Sequence, residues 1–119
     1  MTNLSRLKNI NGQYKDAVAL SVQALSKTKD PSSQAASYKN LGWAKFKQQN
    51  YGKAIEYLEK AKKLDSHRTD TYCLLAQVQE ALGDTNSARL SWEVCLTTNS
   101  SLPEVQGWRQ QLLQRIWEK

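Results

Sequence analysis

The chain is poor in the residues that build reactive centres. Its 119 residues include one histidine, two cysteines, two prolines, one phenylalanine and one methionine. A structural metal site ordinarily needs four nitrogen or sulfur ligands, so one His and no CxxC pair exclude the usual zinc arrangements. No cofactor is expected. The single His67 falls in a turn and reads as a surface residue. No Ser stands in a Gly-x-Ser-x-Gly elbow, and no Gly-rich loop leads into a helix to cradle phosphate. The carboxylates Glu56 with Glu59 and Glu80 with Asp84 are spaced as on solvated helix faces. The chain therefore reads as no enzyme. No apolar run approaches the ~18 residues of a membrane span, and Met1-Thr2-Asn3-Leu4 lacks the apolar core of a signal peptide. No membrane association and a cytoplasmic address are the expectation. Cys73 and Cys95 could form a disulfide, but two small buried thiols in a reducing compartment are the favoured reading.

Four Trp and five Tyr offset a mean hydropathy of −0.69, the profile of a packed domain rather than a disordered segment. The formal charge of +6 is uneven. Residues 35–68 carry eight basic and three acidic groups, whereas residues 69–102 carry one and four. That asymmetry favours acidic partners near the front half, although Lys60-Ala61-Lys62-Lys63 also suits solvated helix surface.

The positive content lies in a repeat. Ala54-x3-Leu58-x2-Ala61 recurs as Ala88-x3-Trp92-x2-Cys95. Leu41-Gly42 recurs as Leu75-Ala76, and Tyr38 as Tyr72, all at one and the same offset. Such a period implies a supersecondary unit stacked on its copies, because one unit cannot bury its own apolar face. Apolar residues recur at helical spacing, and Asn11-Gly12, Gln49-Asn50 and Gly83-Asp84 mark turns. Asp30-Pro31 and Ser101-Leu102-Pro103 read as helix starts. The pattern predicts seven helices, at about 2–11, 14–28, 31–48, 51–64, 69–82, 85–98 and 103–117.

These pairs resemble tetratricopeptide repeats, whose pattern runs W-x2-L-G-x2-Y, then A-x3-F, then a helix-breaking Pro. Tyr38-x2-Leu41-Gly42 with Ala54, Leu58 and Ala61 is the best match; Leu4, Gly12, Tyr14, Ala17 and Ala24 match in part. Ser66 and Ser100 stand where the Pro belongs. The resemblance implies an all-α, right-handed α-solenoid as one domain over 1–119, with units at about 1–30, 31–66 and 69–100 and a capping helix near 103–117. Val105, Trp108, Leu112 and Ile116 would be the buried stripe of that cap, with Leu113 and Trp117 as an exposed apolar edge.

The resemblance also implies a scaffold that holds a partner peptide or helix in a concave groove lined by the first helix of each unit. The groove residues would be Arg6, Lys39, Asn40, Trp43, Phe46, Lys47, Cys73, Leu74 and Gln77, with Asn3, Asn9, Asp70 and Glu80 alongside. Trp43 would be the anchor, unless it packs against helix 14–28 or the connection after it. Apolar anchors with acidic flanks would suit Phe46, Leu74 and Cys73 rimmed by Arg6, Lys39 and Lys47. The chaperone carboxylate clamp of this family does not fit: its positions hold Thr2, Arg6, Asn40, Asp70 and Leu74, of which only Asn40 agrees. Self-association through the first unit and the last helix is the alternative, with nucleic-acid binding less favoured because the third unit is acidic.

Overall fold

The computed structural model describes the backbone of residues 2–117 and the side chains of residues 4–116, so Thr2, Asn3 and Trp117 fall outside the described side chains. Among the described residues every regular element is an α-helix: α1 (Thr2–Ile10), α2 (Tyr14–Lys27), α3 (Pro31–Lys47), α4 (Tyr51–Leu64), α5 (Thr69–Ala81), α6 (Thr85–Thr97) and α7 (Pro103–Trp117). The predicted boundaries hold to within a residue. Thr69 and Pro103 stand one repeat length apart, so α7 starts on the same frame as α5.

Local chemistry fixes the ends of these helices. Three turns share one hydrogen-bond scheme. Gln13 N donates to Lys8 O, Asn50 N to Lys45 O and Asp84 N to Gln79 O, each closing the last turn of the preceding helix. The residue before each donor has positive φ: Gly12 at 77°, Gln49 at 64° and Gly83 at 81°. Glycine adopts that conformation freely, whereas Gln49 carries a Cβ that is crowded there. The next helices are capped by Asn50, accepting from Lys53 N, and Asp84, accepting from Ser87 N. Asp30 does the same for Ser33 N, with Pro31 opening α3.

Packing follows the small residues. Sequential helices pair as α1–α2, α3–α4 and α5–α6, while α2 also touches α3 and α4 touches α5. The odd helices α1, α3, α5 and α7 touch in succession. Ala17, Ala54 and Ala88 are buried at the pair interfaces, as are Leu58 and Trp92. The molecule measures 45 × 26 × 25 Å, longest along one direction.

Cys73 on α5 and Cys95 on α6 form a disulfide, with Cα atoms 4.9 Å apart. This corrects the expectation of two free buried thiols. Both residues occupy the facing positions at which α5 meets α6, and both are fully buried. Their distance along the chain conceals that juxtaposition.

Candidate functional site

Helix α7 packs on α5 and α6, and its side chains reach across to α1 and α3. Glu104 accepts two hydrogen bonds from Arg6 of α1, one from Nη2 at 2.9 Å and another from Nε. Trp108 packs edge-on against Trp43 of α3, with ring centroids 5.1 Å apart. Arg115 pairs with Glu80 of α5 at 3.2 Å. Arg109 donates to the carbonyls of Cys95, at 2.7 Å, and Thr98, which ties α7 to the end of α6.

Beneath this helix runs a line of charges. Lys39 is 1% exposed, yet its Nζ lies 3.1 Å from Asp70 and 5.6 Å from the Trp43 ring. Arg68 reaches the same carboxylate at 3.4 Å. Burial alone would raise the Asp70 pKa, but Lys39 and Arg68 together hold it below the usual carboxylate range. For Lys39, full burial outweighs the attraction of Asp70, and nearby Arg68 adds to it, so its pKa falls below that of a free ammonium. Burial also works to raise the Glu104 carboxyl, but the hydrogen bonds from Arg6 carry it lower. Alongside these charges, Asn40 donates to Ser5 Oγ at 2.8 Å and Asn9 donates to Asn40 O at 3.0 Å, linking α1 to α3.

Five of the nine expected groove residues are therefore interior. Trp43 is 4% exposed, sealed by Trp108. Lys39 and Asn40 are committed to neighbouring helices, Cys73 to its disulfide, and Leu74 to the core. α7 packs on the last pair, α5 and α6, and the sequence reading did not foresee that its Trp108 and Glu104 also reach Trp43 and Arg6. Arg6 is partly accessible but engaged by Glu104. Lys47 is exposed, with its ammonium 5.4 Å from the Phe46 ring.

Phe46 and Gln77 remain together at an opening. They line a cleft of about 470 Å³ with Glu80, Trp92, Trp108 and Leu112. A second cleft of about 450 Å³ lies on the other side of Leu112, between α6 and α7, and includes Leu96 and Ile116. Trp92 borders both, 7% exposed, and its buried indole N–H has no hydrogen-bond partner. Ile116 was expected in the buried stripe of α7 but is 59% exposed, because the last turns of α7 run between these clefts. Val105, Trp108 and Leu112 are buried as expected, and Leu113 is exposed. His67 is a surface residue in its turn.

Residues 35–68, which are most of α3, all of α4 and the turn that follows, match the family model of the tetratricopeptide repeat. The chain carries a tetratricopeptide repeat. The matched segment contains Tyr38, Leu41, Gly42, Ala54, Leu58 and Ala61, the residues on which the resemblance rested. Repeats of this family generally mediate protein–protein interaction and are typically non-catalytic scaffolds. No curated protein matches the chain. No described helix is long and apolar enough to cross a membrane, and the described residues hold no cluster of metal-ligating side chains.

The site residues that sequence reasoning did not assign to the face are Trp92, Glu104, Trp108, Gln111, Leu112 and Arg115. For Trp108 and Leu112 the signal was the stripe Val105, Trp108, Leu112 and Ile116, read there as a cap.

Proposed function

We propose that this chain is a protein-interaction module: a right-handed α-solenoid of about three helix-turn-helix units in one domain, closed by α7, that holds a partner peptide or helix in the cleft between α3, α5 and α7. One observation carries the reading. The cleft of Phe46, Gln77, Trp108 and Leu112 combines aromatic and aliphatic surface with the side-chain amides of Gln77, Gln111 and Gln114. Apolar walls with a few polar groups suit an extended or helical peptide segment with one or two apolar anchors. Lys47 at the rim favours acidic flanks. A site this short supports micromolar affinity, about −8 kcal/mol. Phe46→Asp places a charge in the cleft wall, at a ring that is half-buried against the core and Tyr51. It is expected to abolish partner capture while keeping the helical circular dichroism spectrum, with a lowered melting temperature from the lost packing. Capture equal to wild type by a folded Phe46→Asp protein removes the reading.

A second reading, head-to-tail self-association, has its own support. Leu4, Leu7 and Ile10 on α1 are exposed at one end, and Leu113 and Ile116 on α7 at the other. The first end is basic and residues 69–102 are acidic. Concentration-dependent sedimentation decides it, a strict monomer ending the idea. Nucleic acid is disfavoured by Glu80 and Glu93 at the clefts. The Cys73–Cys95 disulfide argues for an oxidising compartment over the cytoplasm.

A further inference from the structure

We infer that copies of this chain join by seating the outward stripe of α1 in the cleft between α6 and α7 of the next copy. The inference rests on the self-association reading and names its two surfaces.

The observation that carries it is that α1 is inside out. Its inward side is polar: Ser5 and Asn9 are buried, Ser5 accepting from the Asn40 amide and Asn9 donating to the Asn40 carbonyl of α3. Leu7 lies about half a turn round the helix from both. Leu4 and Ile10 flank it along the helix, and all three are exposed, Leu7 at 42%. Counted from the shared left-handed turns at Gly12 and Gln49, Leu7 takes the place of Ala44 on α3, and Leu4 that of Leu41. Ala44 is fully buried, one turn beyond Asn40 on the side of α3 that α1 covers. The same side of α1 lies open, and it bears leucine where a capping surface would be polar.

The other end of the stack is polar in that way. Gln106 and Gln110 are exposed on the side of α7 away from Val105, Trp108 and Leu112. That directs contact to the edge where α7 parts from α6. The cleft of about 450 Å³ there is walled by Ala88, Trp92, Leu96, Leu112 and Ile116, with room for aliphatic side chains from a helix stripe. Charge selects the pairing. Helix α1 contains no acidic residue and carries Lys8 beside the stripe, with Lys15 following on α2. Glu80 and Glu93 border the cleft, with Arg89 between them in sequence. Two α1 helices face to face would oppose like charges, whereas α1 in the cleft opposes unlike ones. Because the two surfaces differ, each contact leaves one free surface at either end, and growth does not close at a dimer.

The test is sedimentation of the full chain over a wide range of concentration. Wild type is expected to pass from monomer through dimer to larger species, and added salt to weaken that association. Leu7→Glu and Ile116→Glu each alter an exposed residue at one surface. Both are expected to keep the wild-type melting temperature and to associate at least about tenfold more weakly. Ile10→Glu serves if Leu7→Glu loses helicity. Mixed in equal amounts, the two variants hold one intact surface each and are expected to form a dimer that grows no further. A mixture that stays monomeric overturns the inference. An Ile116→Glu chain that dimerises as wild type does, while Leu7→Glu does not, pairs α1 with its own copy; the inference falls and self-association stands. Wild type that remains monomeric throughout removes both. None of these outcomes bears on capture at the Phe46 cleft, which Phe46→Asp tests by itself.

Discussion

The pairs α3–α4 and α5–α6 share one repeat frame and are closed by different means. In α3–α4 the device is a missing side chain. A Cβ on Gly42 would lie 2.6 Å from Leu58 Cγ and 3.1 Å from the Ala54 carbonyl, so α4 seats against bare backbone. In α5–α6 the corresponding residues are Ala76 and the larger Trp92, and the positions of Lys39 and Ala61 are taken by Cys73 and Cys95. There a covalent bond does what close approach does in the neighbour. The comparison shows that the repeat frame specifies which positions face each other and leaves open how the contact is made. It also frees Lys39, which has no covalent role in its own pair, to reach Asp70 in the next.

The largest expected effect breaks the link between the two pairs. Asp70→Asn leaves Lys39 buried without its carboxylate and is expected to cost about 3–5 kcal/mol in urea denaturation. The sign with pH follows from the lowered carboxyl of Asp70. Its contribution is present above the unfolded value of about 4 and is lost as pH falls through the lower folded value, so acidification should erode wild type more than the variant. Next, Cys73→Ala with Cys95→Ala removes the tie between α5 and α6. That should cost roughly 3 kcal/mol, and hydrogen exchange should rise first in α5 and α6. Gly42→Ala tests the other closure: Leu58 is fully buried and must shift, at about 1–3 kcal/mol, whereas Ala76→Gly should cost only about 1 kcal/mol from backbone entropy. Smallest is a gain. Gln49→Gly relieves the left-handed turn that its counterparts fill with glycine and should stabilise by up to about 1 kcal/mol, read as a shift in the urea midpoint.

The helices and the repeat were legible because they depend on neighbours in sequence: Gly12, Gln49 and Gly83 mark the same turn, and Ala54 and Ala88 the same contact. The face was legible only in composition. The resemblance placed Trp43, Lys39 and Asn40 in an open groove, whereas all three are buried against α7, α5 and α1. What spacing could not supply was the cover. Trp43 meets Trp108 arriving from α7, and Arg6 finds Glu104 across 98 residues. A stripe of Val105, Trp108 and Leu112 is identical in sequence whether it covers α5 and α6 alone or also reaches Trp43 on α3. The cysteines posed the same difficulty, since their spacing along the chain says nothing about two helices meeting.

The bond between Cys73 and Cys95 also dictates how the molecule would come apart under tension. Pulled from the C-terminus, α7 would peel away first, because its final turns are poorly seated. Force would then pass through the covalent tie without separating α5 from α6. Rupture would appear next at the junction of α3 and α5, where an ammonium and a carboxylate, rather than sulfur, hold the halves together.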